Sequence, residues 1–571
     1  MPAIVRILLL LLATACCMSM ASAQPEAAPT IREIIFQGTE DLPAAAHAQL
    51  AAIVQPLLGQ RFDDGVPAVL REALLESGWF EEAHITVQPV DDGVILVVQL
   101  EPNVTVQSIG FTGNTALSDA ELLAAIPVQL GQVFHVNLAR ESAALIQELY
   151  AERGYPLTAV TDITFTEARA LSFNIQEVHV SEIRIEGLVQ TRESVIRRVI
   201  TIAPGDVFSE AALRDTLVSL QRLQIFDEIA IIPHVGDEPG TVILTITVSE
   251  RRSGTLLVGG TYSEVGGFSG YANFGYLNLF GAAQRVNLLL QAGATDIYQL
   301  DYFNPLVFSN DLSLGASLFY RQAERQLVAG EQELSYLARR QGGVATAYWR
   351  RDPVTQLLTS VRVVNMRALP DHNPDVPAII LGETQVRSLT LGGIRDTRPN
   401  PSYPVSGSFL HASAESAGWF GGEDFFKLSG DGRYYWPLGG GEGGRLPRVL
   451  AARLLAGSSS GTPPFLDQFF LGGVETLRGY EADRFVGNNM LLMSMEFRLP
   501  FSESVQGAAF IDAGDAWGGP FAEALGDRKF SLHLGYGVGV RINTPLGLLR
   551  FDFAFNKEGG NQLHFGLGNA L

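Results

Sequence analysis

The segment LLRFDFAF, Leu548–Phe555, alternates apolar and charged side chains at every second residue. In an extended chain one face would carry Leu549, Phe551, Phe553 and Phe555. Arg550 and Asp552 would lie on the opposite face. The segment LLMSMEFRL, at 491–499, repeats this alternation, with Glu496 and Arg498 on its polar face. A period of two predicts β-strands that each have one apolar and one polar face.

The same pattern continues from Ser253 to the end of the chain, as short alternating segments separated by clusters of Gly, Asn, Asp and Pro. In a soluble sandwich the polar face would meet water, whereas in an outer-membrane barrel the apolar face meets lipid. The region 253–571 has too many residues for one ordinary sandwich domain. Its length suits about sixteen strands of roughly ten residues with their connections. After the N-terminal region, no segment has the ~18 uninterrupted apolar residues of a membrane helix. We therefore predict a transmembrane antiparallel β-barrel of about sixteen strands for 253–571.

Upstream of this region the chain contains three repeats of roughly 75 residues. Their first strands read IREIIFQGTEDL, VQSIGFTGNTAL and VSEIRIEGLVQT, with Gly38, Gly113 and Gly187 in register. Helical patterns follow, with apolar residues three and four positions apart, and each repeat closes on an alternating strand. The repeats are predicted to be β-α-α-β-β modules of the α+β class, with boundaries at 24–102, 103–178 and 179–252.

The N-terminus has the order of a secretory signal: Arg6, an apolar run, and the small residues Ala21-Ser22-Ala23. Segment 1–23 is predicted to be a signal peptide; a lipoprotein signal ending at Cys16 is the alternative. Both cysteines, Cys16 and Cys17, would leave with it, so the exported chain would have no thiol for a disulfide or a metal. A formal charge of -21 argues against nucleic acid as a partner.

The repeats resemble POTRA domains, and with the barrel the chain resembles the outer-membrane assembly and translocation proteins that include BamA, TamA and the two-partner secretion transporters. Further motifs follow in the family's order: YLNLFGAAQRVNLLLQAG, RDTRPNPSYPVSG, LGGVETLRGY, MEFRLP, FIDAGDAW and GYGVGVRINTPLGLLRFDFAF. Three repeats resemble the TamA layout more than the five of BamA or the two of two-partner transporters. The final residue, Leu571, departs from the aromatic residue that is common at the end of this family.

The resemblance implies that LGGVETLRGY is the tip of a loop that folds back into the barrel. The candidate site residues of this tip are Leu477, Arg478, Gly479 and Tyr480. By motif position, Arg478 would pack against Glu496 and Asp512 in the lumen. Strand parity agrees, because Glu496 lies opposite apolar neighbours and Asp512 lies opposite Ile511. The alternative is that Arg478 lies on a solvated external loop.

A second candidate motif comprises Asp396, Arg398, Pro404 and Gly407. Its simpler interpretation is that these residues fix the geometry of a turn and a strand end. The nine histidines have no metal-ligand spacing, and no nucleophile or phosphate-binding motif is present. The sequence therefore predicts no enzymatic activity, no metal and no cofactor.

The resemblance implies an assembly or translocation factor in the cell outer membrane, with its POTRA domains in the periplasm. Its expected partners are unfolded outer-membrane or secreted protein clients, outer-membrane lipid, and a periplasm-spanning or lipoprotein partner. The client would add a strand to a POTRA sheet edge. A weak seam between the strands near Gly254–Ser263 and 562–571 would open laterally, aided by Gly259, Gly260, Gly566 and Gly568. The alternatives are an exporter of one dedicated substrate, a passive porin or transporter, and a soluble periplasmic scaffold.

Overall fold

The computed structural model describes residues 29–40, 42–263, 267–329, 332–370, 376–439, 447–502, 504–526, 529–544 and 547–567. The predicted signal peptide at 1–23 and the terminal residues 568–571 lie outside these ranges. None of the helices in the described ranges combines the length and the apolar composition that a membrane-crossing helix needs. The described chain forms three small mixed sheets and one sheet of sixteen strands, with a short two-stranded ribbon.

Each N-terminal module has the order strand, helix, helix, strand, strand, as predicted. The first comprises β1 (Ile31–Gln37), α1 (Ala44–Val54), α2 (Val66–Glu76), β2 (Phe80–Val90) and β3 (Gly93–Pro102). The second comprises β4 (Ser108–Thr112), α3 (Asp119–Ala125), α4 (Val136–Glu152), β5 (Ala159–Phe165) and β6 (Ala170–Gln176). The third comprises β7 (His179–Glu186), α5 (Glu193–Val199), α6 (Glu210–Arg222), β8 (Phe226–Val235) and β9 (Thr241–Glu250). The last strand of each module lies in the middle of its sheet.

The core of each module forms where the helical and strand periodicities meet. In the first module Leu70 and Leu74, four positions apart on α2, are buried together with alternate residues of the central strand, such as Leu96 and Val98. In the second module the central strand packs in the same way against α4, which buries Tyr150. The alternation of the central strands, read from the sequence, therefore marks the buried face of each sheet.

The glycine repeated after each first strand has a clear structural reason. Gly38, Gly113 and Gly187 adopt φ values of +85°, +83° and +85°, a region that disfavours residues with a Cβ. A Cβ at Gly113 would also lie only 2.1 Å from the carbonyl oxygen of Ile175 on the central strand. The register of the three glycines thus records the same close approach in all three modules.

Glu177, just after β6, holds the loop that follows Gly113. Its carboxylate accepts hydrogen bonds from the Thr115 hydroxyl, from the backbone N–H groups of Thr115 (2.8 Å) and Ala116 (2.9 Å), and from the Tyr150 hydroxyl (2.8 Å). Burial by itself would raise the pKa of Glu177, but these hydrogen bonds outweigh it and lower that pKa below its usual value. In the third module Glu250 accepts backbone N–H groups in the same way, from Val189, Gln190 and Thr191. The sequence reasoning did not identify these two loop-holding carboxylates.

The C-terminal region forms the predicted sixteen-stranded antiparallel sheet, in which neighbouring strands follow the chain order. Its first eleven strands are β10 (Gly254–Ser263), β11 (Gly267–Leu279), β12 (Gln284–Gly293), β13 (Thr295–Asn304), β14 (Leu312–Ala329), β15 (Gln332–Arg350), β16 (Thr355–Pro370), β17 (Gly382–Asp396), β18 (Gly407–Gly418), β19 (Gly421–Pro437) and β20 (Val449–Gly461). The ribbon β21 (Phe469–Leu471) and β22 (Phe485–Gly487) then interrupts the sheet. The last five strands are β23 (Asn489–Pro500), β24 (Val505–Trp517), β25 (His533–Thr544), β26 (Gly547–Asn556) and β27 (Asn561–Leu567), with helix α7 (Pro520–Leu525) between β24 and β25.

The alternation that predicted these strands separates exposed from buried side chains. On β23, Met493 and Met495 are 46% and 49% exposed, whereas Glu496 and Arg498 are each 2% exposed. β26 follows the same pattern, with its phenylalanines exposed and its charged residues buried. The sheet therefore has an apolar outer face and a charged inner face, as an outer-membrane barrel requires.

The turn between β11 and β12 contacts the third module. The Asn278 side chain donates a hydrogen bond to the Thr191 hydroxyl (2.8 Å), and the Arg192 N–H donates to the Gly281 carbonyl (2.9 Å). A Cβ at Gly281 would lie 2.2 Å from the Gln190 carbonyl oxygen. These contacts explain why the Asn-Leu-Phe-Gly motif has an amide and a glycine at these positions.

Candidate functional site in the barrel interior

The loop between β20 and β23 carries the candidate site. Its two arms pair as the antiparallel ribbon of β21 and β22, which brings the tip residues 472–484 together. Leu477, Arg478 and Tyr480 at this tip are 0%, 2% and 4% exposed. These three side chains are therefore enclosed by protein, and the alternative of a solvated Arg478 is wrong.

Arg478 lies between the two carboxylates that its motif position indicated. Its Nε and Nη2 donate to the two oxygens of Asp512 at 2.7 and 2.9 Å, which is bidentate geometry. Its Nη1 donates to Glu496 at 2.7 Å. The backbone N–H of Arg478 also donates to Asp512 (3.2 Å), and its guanidinium carbon lies 3.5 Å from the centre of the Phe510 ring.

A wider charge network surrounds this contact. Arg541 on β25 donates to Glu496 at 2.8 Å and also pairs with Asp552 on β26. Arg498 donates to Glu496 at 2.8 Å, and Asp552 lies 3.5 Å from Arg478. Three arginines thus face three carboxylates, which balances the formal charge in an interior where an unpaired charge would be costly.

The sequence reasoning missed three members of this network, Arg498, Arg541 and Asp552. Strand parity had placed Arg498 and Asp552 on polar faces, but it did not show that either would lie near Arg478. A usable signal was available, because Arg541 and Asp552 occur in motifs that also supplied the last predicted strands. The pairing of β25 with β26 then brings Arg541 beside the inner face of β26.

Glycines on the tip and on the wall make room for this packing. Gly479 adopts φ +92°, and a Cβ there would lie 2.7 Å from the Phe555 carbonyl oxygen. A Cβ on Gly535 of β25 would lie only 1.8 Å from the Arg478 carbonyl oxygen. The Gly479 N–H donates to His564 Nε2 at 3.0 Å, and its carbonyl accepts from Asn556 at 2.8 Å. The tip is therefore fixed by its backbone as well as by Arg478.

Glu475 provides a further contact between the tip and the wall. Its carboxylate accepts a hydrogen bond from Arg550 on β26, and its backbone carbonyl accepts from Arg453 on β20 at 3.0 Å. Arg453 also pairs with Asp431 on β19 (2.9 Å). None of these residues was among the candidates from sequence.

The second candidate motif forms the turn between β17 and β18. Asp396 accepts two hydrogen bonds from the Arg398 guanidinium, each 2.8 Å long. Gly407 adopts φ +91°, where a Cβ would lie 2.6 Å from the Thr397 carbonyl oxygen. The Pro404 carbonyl accepts from Arg498 at 3.4 Å, which links this turn to the Arg478 network. The contacts of Asp396, Arg398 and Gly407 are local, as expected for residues that fix a turn.

Three small β-α-α-β-β modules followed by a sixteen-stranded barrel with an inward loop define the class of outer-membrane assembly and translocation proteins. Comparison with protein families agrees: the Omp85 superfamily domain matches residues 278–571, and the surface antigen variable number repeat, the POTRA model, matches 104–177 and 178–251. The chain belongs to the Omp85 superfamily. Its barrel lies in the outer membrane and its POTRA domains lie in the periplasm, so a soluble scaffold is excluded.

The similar proteins include a plant and a bacterial member. Outer envelope protein 80, chloroplastic, of Arabidopsis thaliana is 25% identical over 551 residues, which cover 87% of this chain and 71% of that protein. Outer membrane protein assembly factor BamA of Neorickettsia risticii (strain Illinois) is 24% identical over 493 residues, which cover 81% of this chain and 65% of that protein. The chain thus spans about two thirds of the length of this BamA.

Two solved structures share the fold at low sequence identity. BamA from Haemophilus ducreyi lacking POTRA domains 1-3 has a TM-score of 0.58 and 18% identity, covering 81% of this chain and 98% of that structure. CdiB from Escherichia coli has a TM-score of 0.58 and 16% identity, covering 92% and 98%. Both likenesses concern the fold.

Proposed function

We propose that this chain assists unfolded proteins into or across the outer membrane, with the POTRA modules receiving the client and the barrel guiding its insertion. The printed name of the similar BamA proteins, outer membrane protein assembly factor, supports this role. The observation that carries the proposal is the fixed loop tip: Arg478, which is 2% exposed, connects the loop to wall strands β23 and β24. A loop held in this way braces the wall near the last strand and restricts free passage through the lumen.

Client binding would occur at the edges of the POTRA sheets. Within the described residues, β2, β5 and β8 each have a strand neighbour on one side only. Their outer N–H and C=O groups can pair with an extended client, which gives affinity with little sequence preference. β2 contains Pro89 and β8 contains Pro233, whereas β5 contains no proline. Because proline removes a donor, β5 of the second module offers the most complete edge of these three strands.

A proline pair on β5 tests this step. Successive N–H groups of a strand point to opposite sides, so of Ile163→Pro and Thr164→Pro one removes a donor that faces β6 and the other an outward donor. The outward substitution should weaken binding of a denatured outer-membrane protein while the circular dichroism of the full-length protein stays unchanged. Unchanged client binding by both variants in a folded protein would argue against strand addition at β5.

Insertion would use the seam between β10 and β27, the first and last strands of the sheet order. Three glycines of the predicted seam lie in the described strands. Gly259 and Gly260 are covered by the rings of Tyr271 and Phe268, and Gly566 lies against the Arg550 guanidinium. These contacts give the glycines a packing role in addition to the weak pairing that we propose for the seam. Gly568 lies outside the described residues.

The central experiment measures the folding rate of a urea-denatured outer-membrane protein into liposomes that contain the full-length chain. Wild type should accelerate folding, and Arg478→Ala should lose that acceleration while remaining inserted. Arg395→Ala is the matched control, because Arg395 is an exposed barrel arginine outside the network. If wild type leaves client folding unchanged although it is folded in the bilayer, the direct insertase proposal fails and export of a dedicated substrate replaces it.

Within this class of proteins, the three-module layout resembles that of TamA. The passive porin alternative can be tested separately by conductance. A porin should conduct steadily in single-channel recordings. The loop that fills part of the interior favours small or irregular currents instead, as in an assembly barrel. A periplasm-spanning or lipoprotein partner and direct contact with outer-membrane lipid remain part of the proposal, to be tested by co-purification from membranes.

A further inference from the structure

The loop is attached to the barrel at a second place, which does not involve Arg478. Before β21 the chain forms a short 3-10 turn, Phe465–Asp467, whose three residues are each at most 8% exposed. Asp467 accepts two hydrogen bonds from Arg362 on β16, at 2.7 and 3.2 Å. This contact is bidentate through Nη1 and Nη2, whereas Arg478 engages Asp512 through Nε and Nη2.

The backbone of this turn also accepts hydrogen bonds from the barrel wall. Lys427 on β19 donates to the Asp467 carbonyl at 2.6 Å, and Arg340 on β15 donates to the Leu466 carbonyl. Arg362 also donates to Glu415 on β18 at 2.6 Å. Three wall strands, β15, β16 and β19, therefore contribute a charged side chain to one short turn, and Glu415 on β18 holds Arg362.

Apolar packing adds to these charges. Phe465 is 4% exposed, and its ring lies 5.5 Å from Tyr336, 5.6 Å from Phe470 and 5.3 Å from Phe521, measured between ring centres. The first two contacts are edge-to-face, a favourable aromatic arrangement. Leu466 is buried in the same cluster. The turn is thus held both by aromatic packing around Phe465 and by the ion pair of Asp467.

The wall residues of the two attachments come from different strands. Arg478 is held by β23, β24 and β26, whereas Phe465–Asp467 is held by β15, β16 and β19, with β18 supporting Arg362. No charged residue is shared between the two sets. Loss of one attachment therefore leaves the contacts of the other in place.

We propose that Phe465–Asp467 is a second anchor, independent of Arg478, that keeps the loop in the barrel when the Arg478 contacts are broken. The tip can then release the wall near the last strand without opening the lumen. This inference concerns the attachment of the loop and does not depend on the identity of a client. Its test uses the inserted full-length protein and no client, so its failure is distinguishable from failure of the insertase proposal.

Cysteine labelling tests the independence of the two anchors. A cysteine at Leu466 reports on the second anchor and one at Leu477 on the Arg478 contact, because both side chains are buried. Asp467→Asn should accelerate maleimide labelling at 466 at least about tenfold and leave the labelling rate at 477 unchanged. The reason is that the free energy lost with a buried ion pair corresponds to more than one factor of ten in an opening equilibrium. Arg478→Ala should do the reverse. Arg367→Ala, an exposed residue on β16, is the control and should change neither rate.

Single-channel conductance gives the second readout. Wild type and each single variant should conduct little, whereas Asp467→Asn combined with Arg478→Ala should conduct steadily. Heat-shift electrophoresis checks that each barrel is folded, and Lys427→Met replaces Asp467→Asn if that variant does not fold. A wild-type labelling rate at 466 in the folded Asp467→Asn protein, equal acceleration at both sites, or steady conductance in Arg478→Ala alone would overturn the proposal.

Discussion

The geometry of the Arg478 network predicts which carboxylate is left without an ion-pair partner when the arginine is removed, and at what cost in stability. In Arg478→Ala, Glu496 keeps Arg498 and Arg541, and Asp552 keeps Arg541. Asp512, which is 0% exposed in the wild-type structure, loses both side-chain hydrogen bonds from the Arg478 guanidinium. Breaking a buried ion pair in this way costs about 3–5 kcal/mol.

Most of the stability lost in Arg478→Ala should come from the unpaired charge of Asp512. A second substitution, at Asp512, should therefore restore part of that stability. Adding Asp512→Asn removes the unpaired charge, so the double variant should regain about 1–3 kcal/mol of the loss. Arg478→Lys retains the charge but cannot form the bidentate contact with Asp512, so it should fall between wild type and Arg478→Ala. These three variants separate the effect of charge from the effect of geometry.

Urea unfolding of the inserted barrel, followed by tryptophan fluorescence and heat-shift electrophoresis, measures these free energies. Arg395→Ala should unfold as wild type does, because its residue lies outside the network. Limited proteolysis of the loop reports on local release where the barrel remains folded. Arg478→Ala with unchanged stability and unchanged loop protection, or a double variant that is no better than Arg478→Ala, would refute this account of the charge balance.

Three other substitutions test the remaining structural arguments. Gly535→Ala should displace the loop tip and accelerate its proteolysis, because the new Cβ would meet the Arg478 carbonyl. Gly270→Ala on β11, where a Cβ would meet no atom within 4 Å, is the control for adding a methyl group to a barrel strand. Gly113→Ala should destabilise the second module by more than about 1 kcal/mol in urea unfolding of the full-length protein, and a smaller loss would contradict the close approach. Glu177→Gln should also lower stability at neutral pH. Because folding lowers the pKa of Glu177 from 4.5, its contribution to stability is present above that value and is lost as the pH falls through the lower, folded pKa. In urea denaturation the stabilities of the variant and wild type should therefore be closer at pH 4 than at pH 7. An equal stability difference at both pH values would count against this role of Glu177.

Much of the fold was predictable because its signals are local. The alternation around Met495 and Glu496 assigns two faces to β23 from sequence neighbours alone, and the structure shows those faces as exposed and buried. The repeated glycine at Gly38, Gly113 and Gly187 records a backbone conformation that recurs in each module. The predicted first strand of the barrel, Gly254–Ser263, matches β10 in both bounds.

The site was predictable only where a motif joined distant segments. The order of the family motifs indicated that Arg478 would meet Glu496 and Asp512, and the structure brings them together. Arg541 and Asp552 also occur in these motifs, and strand parity placed Asp552 on a polar face, but neither signal indicated that the two residues would lie near Arg478. Asp467 was missed entirely, since its partner Arg362 is 105 positions away in the sequence.

The sequence alone determined the periods, the number of modules and the strand faces. Each of these follows from the steric and solvation preferences of residues a few positions apart. The tertiary structure alone decided which inward charges meet, because that depends on strand register around the barrel and on the path of the loop through its interior. A charged residue on an inner face must find a partner there, since an unpaired buried charge is costly, but only the arrangement of the wall strands and the loop determines which one.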